Sequence, residues 1–344
     1  MRTRFFAPVF FSTALMGVVP LAVTPAAAQT VSGEKSSSTS TAKTAAKKWR
    51  TPWGDPDVQG SWSNATTTPL ERPAKYAGRE FLTAAERNAL DTDTAVATDK
   101  RAKRNTADDV NGAYNGAWWE RGRSDGRTSL IYDPPDGRIP ARTPDGQKRQ
   151  AEAARLDKSA ENFSGNGVYA GPEDFEAYTR CIIRAPLPRV STGYNNNYEI
   201  VQSPGSVAIF QEQIHETRII PLDGRAHLTG GVDQWLGDSR GHWEGDTLVV
   251  ETTNFSDQAT FQGATKHMRL VERWTRVADD RIEYRFTVSD PETWTKPWSA
   301  AINWYKTGPL YEYACHEDNY GLYGILAGAR AKEQKTANAQ RLKQ

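Results

Sequence analysis

From residue 198 onward, apolar and polar positions alternate with a period of two. Tyr198-Glu199-Ile200-Val201-Gln202 and residues 206–211, 216–221, 247–252, 268–277, 281–288 and 299–306 each read as a strand. Alternation at this period places one set of side chains in a core and the other in solvent, and β-branched and aromatic residues reinforce it. Val271-Glu272-Arg273-Trp274-Thr275-Arg276-Val277 and Ile282-Glu283-Tyr284-Arg285-Phe286-Thr287-Val288 form the best-defined hairpin, joined through Ala278-Asp279-Asp280-Arg281. Pro-Gly, Asp-Gly, Gly-Asp and Asp-Asp pairs punctuate the strands. Many strands joined by short turns predict a mainly β protein: an antiparallel barrel or strongly curved sheet, lipocalin-like in general shape.

Upstream the pattern differs. Residues 49–69 read as an extended, turn-rich arm. Thr83 followed by Glu86 is a capping signature, and predicts a helix over residues 84–104. A loop with adjacent tryptophans follows at 111–119, then a short strand at 128–132. Asp133-Pro134-Pro135-Asp136-Gly137 is a turn, and a second helix, with Pro144 in its first turn, spans 144–162. The expected organisation is a signal peptide (1–28), a polar leader (29–48), an arm with helices and loops packed on the barrel (49–180), a β ligand domain (181–326) and a polar helical tail (327–344).

The signal peptide rests on Arg2 and Arg4, an apolar run from Phe5 to Val23, and Ala26-Ala27-Ala28 before Gln29. Pro8 and Pro20 interrupt that run and polar sequence follows at once, which argues against an anchor. Cleavage implies a periplasmic or secreted protein with no integral span. Of the 43 basic residues, losing Arg2 and Arg4 leaves 41 against 42 acidic ones. Such a balance does not suit a nucleic-acid partner. In an oxidising compartment the two cysteines, Cys181 and Cys315, favour a disulfide over two free thiols.

Candidate chemistry lies in four clusters. Tyr194-Asn195-Asn196-Asn197-Tyr198 offers amide donors and acceptors, with Tyr194 and Asn196 as ligand contacts. In Gln213-Ile214-His215-Glu216-Thr217-Arg218, strand alternation puts Glu216 and Arg218 on one face and His215 on the other. His215 is a general base, a metal ligand or merely a hydrogen-bonded strand histidine. The stretch from Asp233 to Asp246 mixes turn glycines with Trp235, Asp238, Arg240, His242 and Trp243. The last cluster, Tyr311 to Gly321, holds His316 beside Cys315, and Tyr320. His215-Glu216 and His316-Glu317 are both His-Glu dipeptides, so a divalent metal ion is the one cofactor this set suits, although metal-binding His spacings are missing. No phosphate loop, dinucleotide fingerprint or nucleophile elbow is present, which excludes kinases, nicotinamide dehydrogenases and α/β hydrolases.

Together, Trp53-Gly54-Asp55-Pro56-Asp57, Pro69-Leu70-Glu71-Arg72-Pro73, Arg127 to Leu130, Asp133 to Arg138, Tyr194 to Tyr198, His215 to Arg225, Trp235 to Phe255 and Tyr311 to Gly321 resemble a family of uncharacterised exported proteins of Gram-negative bacteria. The resemblance runs over nearly the whole chain from Trp49 and implies no particular activity. From the residues, the expectation is a cofactor-free acid/base enzyme (lyase, isomerase or hydrolase) for a sugar-like or aromatic small molecule in a Trp/Tyr-lined pocket. In it His215 or His316 is the base, Asp238 or Glu216 orients it, and Arg218 or Arg240 holds an anionic group or stabilises developing negative charge. The competing expectation is a non-catalytic carrier or sensor whose same residues only orient a ligand.

Overall fold

The computed structural model describes residues 49–100, 120, 122–160, 169–258, 260–317 and 319–341. The expected signal peptide, the leader and the 111–119 loop lie outside these residues. Ten antiparallel strands are present among them: β1 (Gly60–Ser63), β2 (Ile131–Asp133), β3 (Asn197–Ser203), β4 (Ser206–Gln211), β5 (Thr217–Pro221), β6 (Asp238–Glu244), β7 (Thr247–Thr253), β8 (Arg269–Ala278), β9 (Arg281–Ser289) and β10 (Trp298–Lys306). Among the described residues, three α-helices lie outside the sheet: α1 (Ala84–Lys100), α2 (Pro144–Ala160) and α3 (Tyr320–Arg341). The hydrogen-bonded order is β5-β4-β3-β1-β10-β9-β8-β7-β6, with β2 on β10. It forms a nearly closed barrel, as the alternation predicts.

Two strands were not evident in the sequence pattern. β1 comes from the arm and inserts between β3 and β10, so the arm is part of the barrel wall and not only packed against it. It is four residues long, and only Trp62 is a buried apolar anchor. Gln202 supports the entry to it, donating from Nε2 to Pro56 O (3.0 Å) and accepting from Val58 N (2.8 Å). β6 was read as turn and site material. Its Ser239 faces inward, while Asp238, Arg240 and His242 take the opposite face, as alternation requires. At α1 the expected capping box forms: Thr83 N donates to Glu86 (2.8 Å) and Glu86 N to Thr83 Oγ1 (3.2 Å). The tail helix starts at Tyr320, seven residues before the expected 327.

β5 and β6 end the hydrogen-bonded order, so side chains close the seam between them. A Cβ on Gly241 would sit 2.7 Å from Leu222 Cδ2 and 2.8 Å from Ile220 Cγ2. Glycine there lets β6 approach the β5 side chains. Gly241→Val is expected to cost about 1–3 kcal/mol by overpacking, read from the urea midpoint at constant m-value. A loss below about 0.5 kcal/mol would mean the seam absorbs the side chain without strain.

Aromatic rings fill the barrel. Tyr198 stacks on Trp304 at 4.5 Å, Trp274 lies 4.9 Å from Tyr284, and Phe286 meets Trp298 edge-on at 5.8 Å. Trp62, Trp274, Trp298, Trp304, Tyr198 and Tyr284 are each at most 2% exposed. Where Tyr198, Trp274 and Trp304 meet Arg189, Gln211 and Arg218, a void of about 10 Å³ remains, room for about one water. The aromatic residues expected to line a ligand cavity are therefore largely the core itself. Among the described residues, no helix is long and apolar enough to cross a membrane.

Candidate active site

The polar end of the barrel is where β3 starts and β4 passes into β5. Beneath it lie two buried ion pairs. Arg218 donates to Glu272, to Ser239 Oγ (2.8 Å) and to Thr252 Oγ1 (2.7 Å). Glu272 also accepts from the Tyr284 hydroxyl at 2.8 Å. Arg189 pairs with Glu216. The sequence correctly puts Glu216 and Arg218 on one inward face, but each is bound to a partner from another element and not to its neighbour. Burial and the nearby Arg184 and Arg218 guanidiniums push Arg189 down to about 10. Burial first, then the Glu272 carboxylate, pushes the Tyr284 phenol well above its ordinary value. These groups are committed to one another, so Glu216 and Arg218 are removed from the catalytic and ligand-binding roles expected for them. They form the floor that fixes the end of the barrel.

Above this floor, three segments are tied together. The Cys181–Cys315 disulfide joins the 178–184 segment to the 311–317 segment, with Cα atoms 5.9 Å apart. Glu212 accepts from Tyr311 N (2.9 Å) and Asn197 Nδ2 (2.8 Å), which holds the second segment against β3. Asn319 Nδ2 donates to Thr179 O at 2.8 Å. Arg184 reaches across the floor, donating from Nε to Gln213 Oε1 (2.7 Å) and from Nη2 to Thr192.

His215 sits on this framework in a 3-10 turn, Gln213–His215, and not in the expected strand. Ile214 and His215 have φ of 67° and 46°, the left-handed region that a β-branched residue rarely adopts. Cys181 and Asn195, in the adjoining segments, also have positive φ (55° and 56°). Six non-glycine residues among those described have positive φ, and four of them gather at this end. Strain of this kind persists only where surrounding contacts enforce it, and it concentrates at functional sites.

The His215 Nδ1 lies 3.0 Å from Tyr313 O. A carbonyl only accepts, so Nδ1 carries the hydrogen and the neutral ring keeps its Nε2 lone pair. The ring centroid is 6.3 Å from that of His316. Both histidines are exposed. His316 lies in a turn, immediately after the bridged Cys315. Next to Tyr313 and the disulfide is an open groove of about 600 Å³, lined by these, by Tyr178 and by Asn319, Gly321, Leu322 and Ile325. The Tyr178 hydroxyl accepts from Gln213 Nε2 (3.2 Å). Its phenol is held above the ordinary value by burial first, then by the Tyr194 and Tyr313 phenols.

The other expected site residues fall elsewhere. Asp238 is far from the role of orienting His215. It is buried on the outer face of β6, where it accepts from Leu228 N (2.8 Å) and His227 (3.1 Å) and pairs with Arg240, fixing the loop that covers the strand. Arg240 also donates to Ala226 O (3.1 Å) and has no role at the barrel end. His242 is exposed on the same outer face, beside Glu244. Trp243 packs partly buried against the main core, four residues past Ser239. Trp235 packs on Ala177 and Ile183. Asn196 is wholly buried, its amide bonded to Thr192 and Glu120, so it builds the loop and is not a ligand contact. Tyr320 is exposed at the start of α3, whose next residues line the groove. Tyr194 does reach the site, through Tyr178.

The residues missed by sequence reasoning are Tyr178, Gln213 and the Tyr313 carbonyl. Tyr178 lies three positions before Cys181, so asking what the disulfide brings beside His316 would have found it. Among the described residues, no group of three or more His, Cys, Asp and Glu side chains is placed to hold a metal ion.

Comparison with protein-family models matched none, and comparison with curated proteins matched none. Among solved structures, the chain is similar to a secretary abundant heat soluble (SAHS) protein from Ramazzottius varieornatus, with a TM-score of 0.23 and 12% sequence identity, over 32% of this chain and 70% of that one.

Proposed function

We propose that this is an exported enzyme that performs acid/base chemistry at the polar end of its barrel on a small aromatic or hydroxyl-bearing molecule. The observation that carries the reading is His215, held on strained backbone with Nδ1 bonded to a main-chain carbonyl and Nε2 left free. That arrangement prepares a neutral imidazole to accept a proton. The bond to Tyr313 O does the orienting work expected of Asp238. Tyr178, 38% exposed beside the groove and a phenol at neutral pH, serves as donor to the oxygen on which negative charge develops. The aromatic groove beside Tyr178 and Tyr313 offers the binding surface. Proton abstraction by a neutral imidazole is a step open to lyase, isomerase and hydrolase chemistry alike. The disulfide suits an oxidising compartment, and with the N-terminal pattern supports a periplasmic or secreted setting.

The test incubates the mature protein with pooled periplasmic extracts and aromatic and glycoside libraries, and follows the pools by mass spectrometry. New product masses, or new chromatographic retention times for an isomer of unchanged mass, are expected with the wild type, and a rate lower by at least about 100-fold with His215→Ala. Compounds retained on the protein but recovered unchanged would establish a carrier instead.

A further inference from the structure

A second groove lies on the outer wall, away from the barrel end. β9 and β10 pair Arg285 with Ala301 and Glu283 with Asn303. Arg285, Glu283, Ala301 and Asn303 lie on the outer wall, because Tyr284, Phe286 and Ile302 take the core face. Ala301 is small, and leaves a floor between taller neighbours. Tyr132 of β2, Phe81, Glu80, Asp125 and Asn303 also line it. The space enclosed is about 310 Å³, at the small end of the range of about 300–1,000 Å³ for small-molecule sites.

The lining is polar, with Glu80, Asp125 and Glu283 against Arg127 and Arg285. Arg127 pairs with Glu80 at 2.9 Å, and Arg285 forms a two-bond pair with Glu283 (2.8 and 2.9 Å). Asp125 accepts from Asn303 Nδ2 (3.0 Å) and Asn303 N (3.3 Å), and burial pushes its carboxyl up. Four of the five charged groups are paired, and the acid left over, Asp125, disfavours an anionic ligand. What the groove presents is a set of planar acceptors and donors side by side, with Arg127 Nε buried and unpartnered. Stiff aromatic walls complement them. The Arg127 guanidinium lies 5.4 Å from the Phe81 ring and 5.7 Å from the Tyr132 ring, and Arg285 lies 5.6 Å from Tyr132. Phe81 is nevertheless 57% exposed, an apolar face turned to solvent beside these polar groups.

A neutral ligand that both donates and accepts hydrogen bonds, and has an apolar C–H face, matches this surface. Hydroxyl groups bridge a carboxylate and a guanidinium at once, and a pyranose ring carries its C–H face against an aromatic wall. We infer that the groove formed by Phe81, Tyr132, Asp125, Asn303 and the Arg127 and Arg285 ion pairs is a binding site for a neutral saccharide. It is independent of the chemistry at the barrel end.

The experiment is saturation-transfer NMR on the mature protein with maltose, cellobiose, trehalose and diacetylchitobiose, beside glutamate as a zwitterionic probe. At least one disaccharide is expected to bind at millimolar concentration. Phe81→Ala, which removes an exposed ring, and Ala301→Leu, which fills the floor, should each weaken it about tenfold, a change of 1.4 kcal/mol. His215→Ala should leave it unchanged. Circular dichroism of both groove variants confirms that they fold. Three results would each overturn the inference: no saccharide bound at tens of millimolar, glutamate bound in preference, or binding lost in His215→Ala but kept in both groove variants.

Discussion

Glu272→Ala is expected to lower the free energy of unfolding by about 3–5 kcal/mol, the cost of stranding a buried charge. Glu272 is wholly buried and accepts from both Arg218 and Tyr284. Without it, Arg218 keeps only the hydroxyls of Ser239 and Thr252 and the face of Trp274 at 5.9 Å. Neutral dipoles do not replace a carboxylate at a buried guanidinium. The companion variant separates charge stranding from lost packing. Arg218→Met with Glu272→Met removes both charges at similar volume, and should recover most of the loss, because two buried ions repay their desolvation only through each other. Urea unfolding of the two variants gives the answer. A single substitution costing less than about 1 kcal/mol would show that the pair is hydrated and not part of a dry core.

Removing the disulfide should cost a similar amount. Cys181 and Cys315 are 134 residues apart, and closing a loop of that length restricts the unfolded chain by about 4–5 kcal/mol in the chain-entropy model. The bond also has a local consequence. It is one of the ties that hold the 311–317 segment beside 178–184, so its loss loosens the Tyr313 carbonyl on which His215 depends. The Cys181→Ser, Cys315→Ser variant should therefore lose function at temperatures where it is still folded. Equal loss of function and of folded protein across a thermal scan would limit the bond to global stability.

Much of the barrel could be read from the chain, because alternation over seven to ten residues has few competing explanations. The residues of β4 were predicted at their observed limits, and the β8–β9 hairpin at its turn. β1 escaped because four residues with one apolar anchor carry too little period. β6 escaped for another reason. A loop covers its outer face, so Asp238 there is buried and reads as chemistry when its work is to hold that loop. The tryptophans misled in the same way: composition marks them as pocket or core, and only the packing shows that they fill the barrel. At the candidate site, His215, His316 and Tyr194 were legible as residues with no evident structural duty. The bond from His215 to Tyr313 spans 98 positions, and no local pattern encodes it.

That bond leaves the His215 Nε2 free on an exposed ring, which allows a direct test by chemical rescue. With any substrate turned over by the wild type, His215→Gly should be inactive, and added imidazole should restore turnover in proportion to the free base, because the small base can enter the space the side chain vacates. Wild-type rates in His215→Gly, or a dead variant that imidazole at any pH fails to revive, would contradict the assignment of His215 as the base.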